Sequence, residues 1–118
     1  MKNIEEVLYG LSKSKFRSSF HLNKKMKEYV KEKGLDKIRN DAYEIINKRL
    51  KPSYIKNDGR QTPMKQVHPV FIAEHACACC CRGCLFKWYK IENGRELTDK
   101  EVDFIVNLLL KWIENECE

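Results

Sequence analysis

A chain of 118 residues that is 42% hydrophobic and 34% charged, with only three prolines, has the make-up of one globular domain burying its own core rather than of a disordered tail. No apolar run approaches the roughly 20 residues needed to span a bilayer, and Lys2, Glu5 and Glu6 leave no signal-peptide pattern at the amino terminus. A soluble cytoplasmic protein with no membrane partner is expected, and in that compartment thiols stay reduced.

The net charge of +6 is unevenly spread. Residues 1–65 hold 17 Lys and Arg against 8 Asp and Glu, and residues 66–118 hold 6 against 9. Such a basic half can meet nucleic acid or another acidic partner through phosphate-type contacts. The plainer alternative is a lysine coat on solvated helix faces, since no recognised nucleic-acid motif accompanies the charge.

In chain order, Leu11 to Leu22 reads as an irregular basic stretch from which Phe16 and Phe20 dock onto a core. Asn23 is suited to cap a helix with Met26, Tyr29, Val30 and Lys33 on one side, and Gly34 to the left-handed position beyond its end. Asp36 can start a second helix with Ile38, Ala42, Ile45, Ile46, Arg49 and Leu50 as its stripe, which Pro52 prevents from continuing. Asn57 to Met64 is turn chemistry, with Asn-Asp-Gly and then Pro63.

Pro69 fits the first turn of a third helix. If that helix runs on, Ala73, Cys77, Cys80, Cys81, Cys84 and Trp88 share a face, with a kink or break at Gly83. A short buried strand from Val67 to Ala73 is the competing assignment. The last element is a helix opened by a capping box, Thr98 to Glu101, and a hydrophobic staple of Leu97 on Val102, with Val102, Ile105, Val106, Leu109, Trp112 and Ile113 as its core stripe. The chain is therefore expected to be all-α, one domain over residues 1–118 with four or five helices, a central polar loop and a cysteine-rich segment.

These residues carry a family resemblance. Asn57 to Met64, the run from His68 to Ala73, His75-Ala76, Cys80-Cys81-Arg82-Gly83-Cys84-Leu85, Lys87-Trp88 and the run from Gly94 to Thr98 resemble the small bacterial family called domain of unknown function 4186. The likeness extends back through Ser14-Lys15-Phe16-Arg17 and Arg49-Leu50, and so covers nearly the whole chain. The resemblance implies no activity. It does imply that Cys80, Cys81 and Cys84 are the family's cysteines, because the family pattern has threonine where this chain has Cys77 and Cys79, and histidine where it has Tyr89.

Five of the six cysteines lie between Cys77 and Cys84, and three chemistries compete for them. Cys81 and Cys84 form a C-x-x-C pair able to share one zinc ion, with His68, His75 or Cys80 completing a tetrahedral site; no second pair lies elsewhere, and His21 and Cys117 are remote. An iron–sulfur centre lacks a matching four-cysteine spacing. A thiolate favoured by Arg82 or a histidine could instead act as a nucleophile, or Cys81 and Cys84 could cycle between dithiol and disulfide, although no βαβ context supports a thioredoxin-like enzyme. The third option is packing, since cysteine buries readily and small residues let helices approach; His68 then caps a helix, His75 satisfies a carbonyl and Arg82 pairs with an acidic neighbour.

The function expected from these features is that of a non-enzymatic helical binding module organised around the Cys/His segment, with zinc as the fitting metal and an acidic partner for the basic half. The alternative is a thiol enzyme using Cys80, Cys81 or Cys84, with His75 as base and Arg60 or Arg82 holding an anionic substrate. In that case Asn57, Asp58, Arg60, Gln61, Thr62 and Arg82 are the candidate pocket residues.

Overall fold

The computed structural model describes residues 3–118. Met1 and Lys2, read above as part of the amino terminus, lie outside them. Six α-helices and one 3-10 turn are present, and no strand occurs among the described residues. The all-α expectation holds, with one helix more than the upper count expected.

The additional helix is α1 (Ile4–Ser12), absent from the elements expected above. It is capped by Asn3, whose side-chain oxygen accepts the Glu5 and Glu6 N–H groups, and it buries only Val7 and Leu11. Ile4 and Leu8 pack half-buried beside them, so Ile4, Val7, Leu8 and Leu11 form one apolar stripe at helical spacing. The stretch that follows is indeed irregular, apart from a 3-10 turn at Arg17–Ser19. Phe20 packs against the core and stacks on the His75 ring, while Phe16, expected to dock, is 54% exposed.

Helix α2 (Lys24–Lys33) begins at Asn23, whose side chain accepts the Met26 N–H at 2.9 Å. Gly34 takes φ 84°, a left-handed value that favours glycine, and helix α3 (Leu35–Arg49) starts at once on its far side. Of the predicted stripe, Ile38, Ala42, Ile46 and Leu50 are buried, while Arg49 reaches out to the Gln61 carbonyl at 3.0 Å.

Residues 69–76 are helical, which excludes the competing strand. Helix α4 (Pro69–Ala76) has Pro69 in its first turn and His68 as its cap, with His68 Nδ1 accepting the Val70 N–H at 3.1 Å. Helix α5 (Arg82–Tyr89) is separate from it, and α6 (Asp99–Glu116) closes the fold. Both halves of the predicted capping box on α6 form: Glu101 N–H to Thr98 Oγ1 at 3.1 Å and Thr98 N–H to Glu101 Oε1 at 2.8 Å. Helix α6 lies at the centre, packed against α1, α3 and α4, so more than one stripe is buried: Leu108 and Leu110 join the predicted face.

Candidate metal centre

The cysteine segment is not one helix. Helix α4 stops at Ala76 in a Schellman arrangement: Ala78 adopts φ 58°, the Ala78 N–H donates to the His75 carbonyl at 3.4 Å, and the Cys79 N–H donates to the Glu74 carbonyl at 2.8 Å. Glycine usually fills that left-handed position, so alanine hides the break from sequence inspection. Gly83, where a break was expected, instead sits in the first turn of α5.

The chain re-enters a helix at Cys81, an extended N-cap whose Sγ accepts the Cys84 N–H at 3.3 Å. Asp58 completes the cap from the polar loop: its two carboxylate oxygens accept the Arg82 N–H at 3.0 Å and the Gly83 N–H at 3.1 Å. All three N–H groups of the first turn thus have acceptors, two of them from an anion placed at the positive end of the helix.

This turn brings Cys80, Cys81 and Cys84 together, their sulfurs all within 4.8 Å of one another. The Cys80 and Cys84 sulfurs are 3.5 Å apart. Tetrahedral zinc with Zn–S bonds of about 2.3 Å holds its sulfurs roughly 3.8 Å apart, so the spread matches a three-thiolate site after small side-chain rotations. Cys80 is buried and Cys81 and Cys84 are partly open to solvent, which leaves one side of the cluster approachable.

Arg17 caps the cluster from the 3-10 turn. Its Nη1 lies 2.7 Å from the His75 carbonyl oxygen and 3.6 Å from Cys80 Sγ, and its Nη2 lies 3.2 Å from Cys84 Sγ. Burial alone would lower the Arg17 pKa, but the sulfur acceptors outweigh it and raise the pKa. A hydrogen bond from the Cys81 thiol and the adjacent Arg17 hold the Cys80 thiol below its ordinary value against the opposing effect of burial. Cys81 is pushed up by its hydrogen bond to Cys80 and by burial. Cys77 and Cys79 are fully buried, and burial drives both thiols far up; they are neutral core groups.

Neither histidine joins the sulfurs. His75 Nε2–H donates to the Thr62 carbonyl at 3.0 Å, and burial lowers its pKa, so it is a neutral strut between α4 and the polar loop. His68 Nε2–H donates to Asp41 at 3.1 Å, which pins α4 to α3. Cys117 and His21 lie at the far end of α6, where His21 Nδ1 is 3.1 Å from Glu116.

The polar loop divides. Gln61 braces Asp58 through Nε2 at 3.0 Å and accepts the Gly59 N–H, while Asn57 takes a left-handed φ of 56°. Thr62 is buried and donates to the Cys80 carbonyl at 2.8 Å. Arg60 is exposed and is not at the cluster. Asp58 and Arg82 line a groove with Ser53, Tyr54, Ile55, Asn93 and Gly94, while Thr62, at the other end of the loop, meets His75 through its carbonyl.

Arg82 was expected to pair with an acidic side chain. It is 1% exposed, and its guanidinium instead donates to five backbone carbonyls: Leu50, Lys51 and Pro52 through Nη1, and Glu92 and Arg95 through Nη2, at 2.7–3.5 Å. It ties the end of α3 and the 92–95 turn to the start of α5.

Two residues escaped sequence inspection. Arg17 was visible only as part of the resemblance around Phe16, because its sulfur partners lie more than sixty positions away. Glu74 was hidden in the run Pro-Val-Phe-Ile-Ala-Glu-His-Ala: it is 1% exposed, with Oε2 3.5 Å from Thr62 Oγ1 and no hydrogen-bond partner for Oε1. One acidic residue within an otherwise apolar helix was the available signal.

A three-cysteine cluster capped by an arginine, on a turn between two short helices, defines a small helical protein with a candidate soft-metal centre. No solved structure matches the chain. Residues 5–114 match the model of the family described as domain of unknown function 4186, and the chain belongs to that family.

Proposed function

We propose that this protein is a helical module that binds zinc through Cys80, Cys81 and Cys84. The observation carrying this reading is the approach of the three sulfurs to within 4.8 Å of one another. Three thiolates around a divalent ion leave a net charge of −1, and Arg17 at 3.2 and 3.6 Å from two of the sulfurs supplies the balancing cation. A fourth position on the ion stays open for water or an exchangeable ligand, the arrangement of zinc sites that are more than structural clips.

The basic residues of the amino-terminal half support an acidic partner such as nucleic acid, with Lys13 and Lys15 exposed on the segment that carries Arg17. Binding that does not weaken steeply with added salt would remove that part.

Elemental analysis combined with a count of alkylatable thiols tests the metal. One equivalent of zinc with Cys80, Cys81 and Cys84 protected is the expected result, and Cys80→Ser or Cys84→Ser should lower metal retention by at least about tenfold. Cys77→Ala, at a core position, should retain the metal. Purified protein that takes up no zinc when reduced refutes the reading.

A second reading is favoured by the lowered Cys80 pKa: a thiol nucleophile activated by Cys81 and Arg17, not by His75. Alkylation of metal-free protein at neutral pH should then be fastest at Cys80. A Cys80 rate equal to that of an ordinary free thiol removes this reading.

A further inference from the structure

We infer that Cys80 and Cys84 form an oxidative modification site: in the metal-free protein they close into a disulfide under peroxide, and the closed form excludes metal. The first half stands on sulfur geometry alone, and the second half rests on the proposed zinc site.

The Cys80 and Cys84 sulfurs already touch at 3.5 Å, and each accepts from a different nitrogen of the same guanidinium, so both point to one spot. A disulfide needs the sulfurs at about 2.05 Å, a closure that side-chain rotation of about 1.5 Å supplies. Cys81 is the less suitable partner. Its Sγ is engaged as the cap of α5, accepting the Cys84 N–H, and it adjoins Cys80 directly in the chain, where bridging is strained. Cys77 and Cys79 are fully buried.

The chemistry balances with hydrogen peroxide as the two-electron oxidant. One sulfur of the pair attacks one peroxide oxygen; the O–O bond breaks, a sulfenic acid forms, and the departing oxygen leaves as water with that thiol's proton. The other sulfur then attacks the sulfenic sulfur. An S–S bond forms, the S–O bond breaks, and the second oxygen leaves as water with the second thiol's proton. Two thiols and one peroxide give one disulfide and two waters, with two electrons passing from sulfur to oxygen.

Closure consumes two of the three candidate ligands and leaves Cys81 alone, which cannot hold zinc by itself. Bound zinc, conversely, occupies both sulfurs and shields them from peroxide. The cluster would thus report the oxidant level as the presence or absence of its metal.

The test uses the full chain, reduced and metal-free, treated with hydrogen peroxide, alkylated and digested with trypsin. Arg82 separates Cys80 from Cys84, so a disulfide joins the peptide ending at Arg82 to the one running from Gly83 to Lys87. The expected result is a loss of about 2 Da in the intact chain, that cross-linked pair with Cys80 as the bonded residue, and zinc uptake that disappears on oxidation and returns with reductant. Cys81→Ser should still form the bond and Cys84→Ser should not. Thiols that remain free, that run on to sulfinic acid, or that bond through Cys77, Cys79 or Cys81 overturn the inference. Should the reduced chain take up no zinc, the zinc reading and the exclusion of metal fall together, while the peptide map still decides the disulfide on its own.

Discussion

Glu74 offers the clearest test of the interior beneath the cluster. Its carboxyl is 1% exposed, its nearest polar neighbour is Thr62 Oγ1 at 3.5 Å, whose proton goes to the Cys80 carbonyl, and burial raises its pKa from 4.5 to about 8, with the Arg49 charge opposing the rise only in part. Between those values the folded chain keeps a proton that the unfolded chain has released, so stability is fully present below about 4.5 and falls as pH rises toward 8. Each pH unit in that window removes about 1.4 kcal/mol, or at most about 5 kcal/mol across it. Glu74→Gln keeps the shape and cannot ionise. Urea unfolding of parent and variant at about pH 5, 6 and 7 should show the variant gaining on the parent by about 1.4 kcal/mol per unit, near 3 kcal/mol in all. Any cost of burying the amide is a constant offset and does not alter the slope. A difference that stays flat across this range means the folded carboxylate is ionised, and the burial reasoning fails.

Two further outcomes concern the frame of the site. Arg82→Met removes the donor shared by five carbonyls around α5 and should cost at least about 3 kcal/mol in denaturant unfolding, with Arg82→Lys restoring only part because one ammonium cannot bridge both segments; a loss under 1 kcal/mol, on the scale of an ordinary surface change, would refute that role. Thr98→Ala breaks one half of the α6 capping box and should cost about 1 kcal/mol without affecting thiol protection at the cluster, checked by melting and by alkylation.

What was legible in the sequence was local. Asn23, Gly34, His68 with Pro69, and Thr98 with Glu101 all act within four residues of themselves, and each helix end they imply is present. The three cysteines were legible as a set because nearness in sequence forces nearness in space. The break at Ala78 was not, since its left-handed backbone falls on an alanine, a residue with no local preference for it, while the stronger local breaker, Gly83, lies five positions on. The partners of Arg17, Asp58 and Arg82 lie in distant segments, and nothing in spacing along the chain reports them. His75 illustrates the same limit: its nearness to the cysteines in sequence suggested a base, yet α4 ends just after it and its ring goes to the Thr62 carbonyl and the face of Phe20.

Those distant contacts also bear on how the cluster would take up a metal. Asp58, Arg82 and the Cys81 sulfur fix the first turn of α5 through main-chain hydrogen bonds, and the Schellman turn fixes the end of α4. Two of the three ligands, Cys81 and Cys84, therefore ride on backbone that is already ordered, and the third, Cys80, is held by Thr62 on its carbonyl and Arg17 on its sulfur. In a small zinc-dependent fold the ion supplies the folding energy itself. Here a core of twenty-five buried apolar residues spans all six helices and includes none of Cys80, Cys81 and Cys84, so metal removal should free these three thiols while leaving the helices in place. Arg17, hydrogen-bonded to two of the sulfurs and to the His75 carbonyl, joins the cluster to a segment of the chain more than fifty positions away, so its environment should change when the thiols are freed.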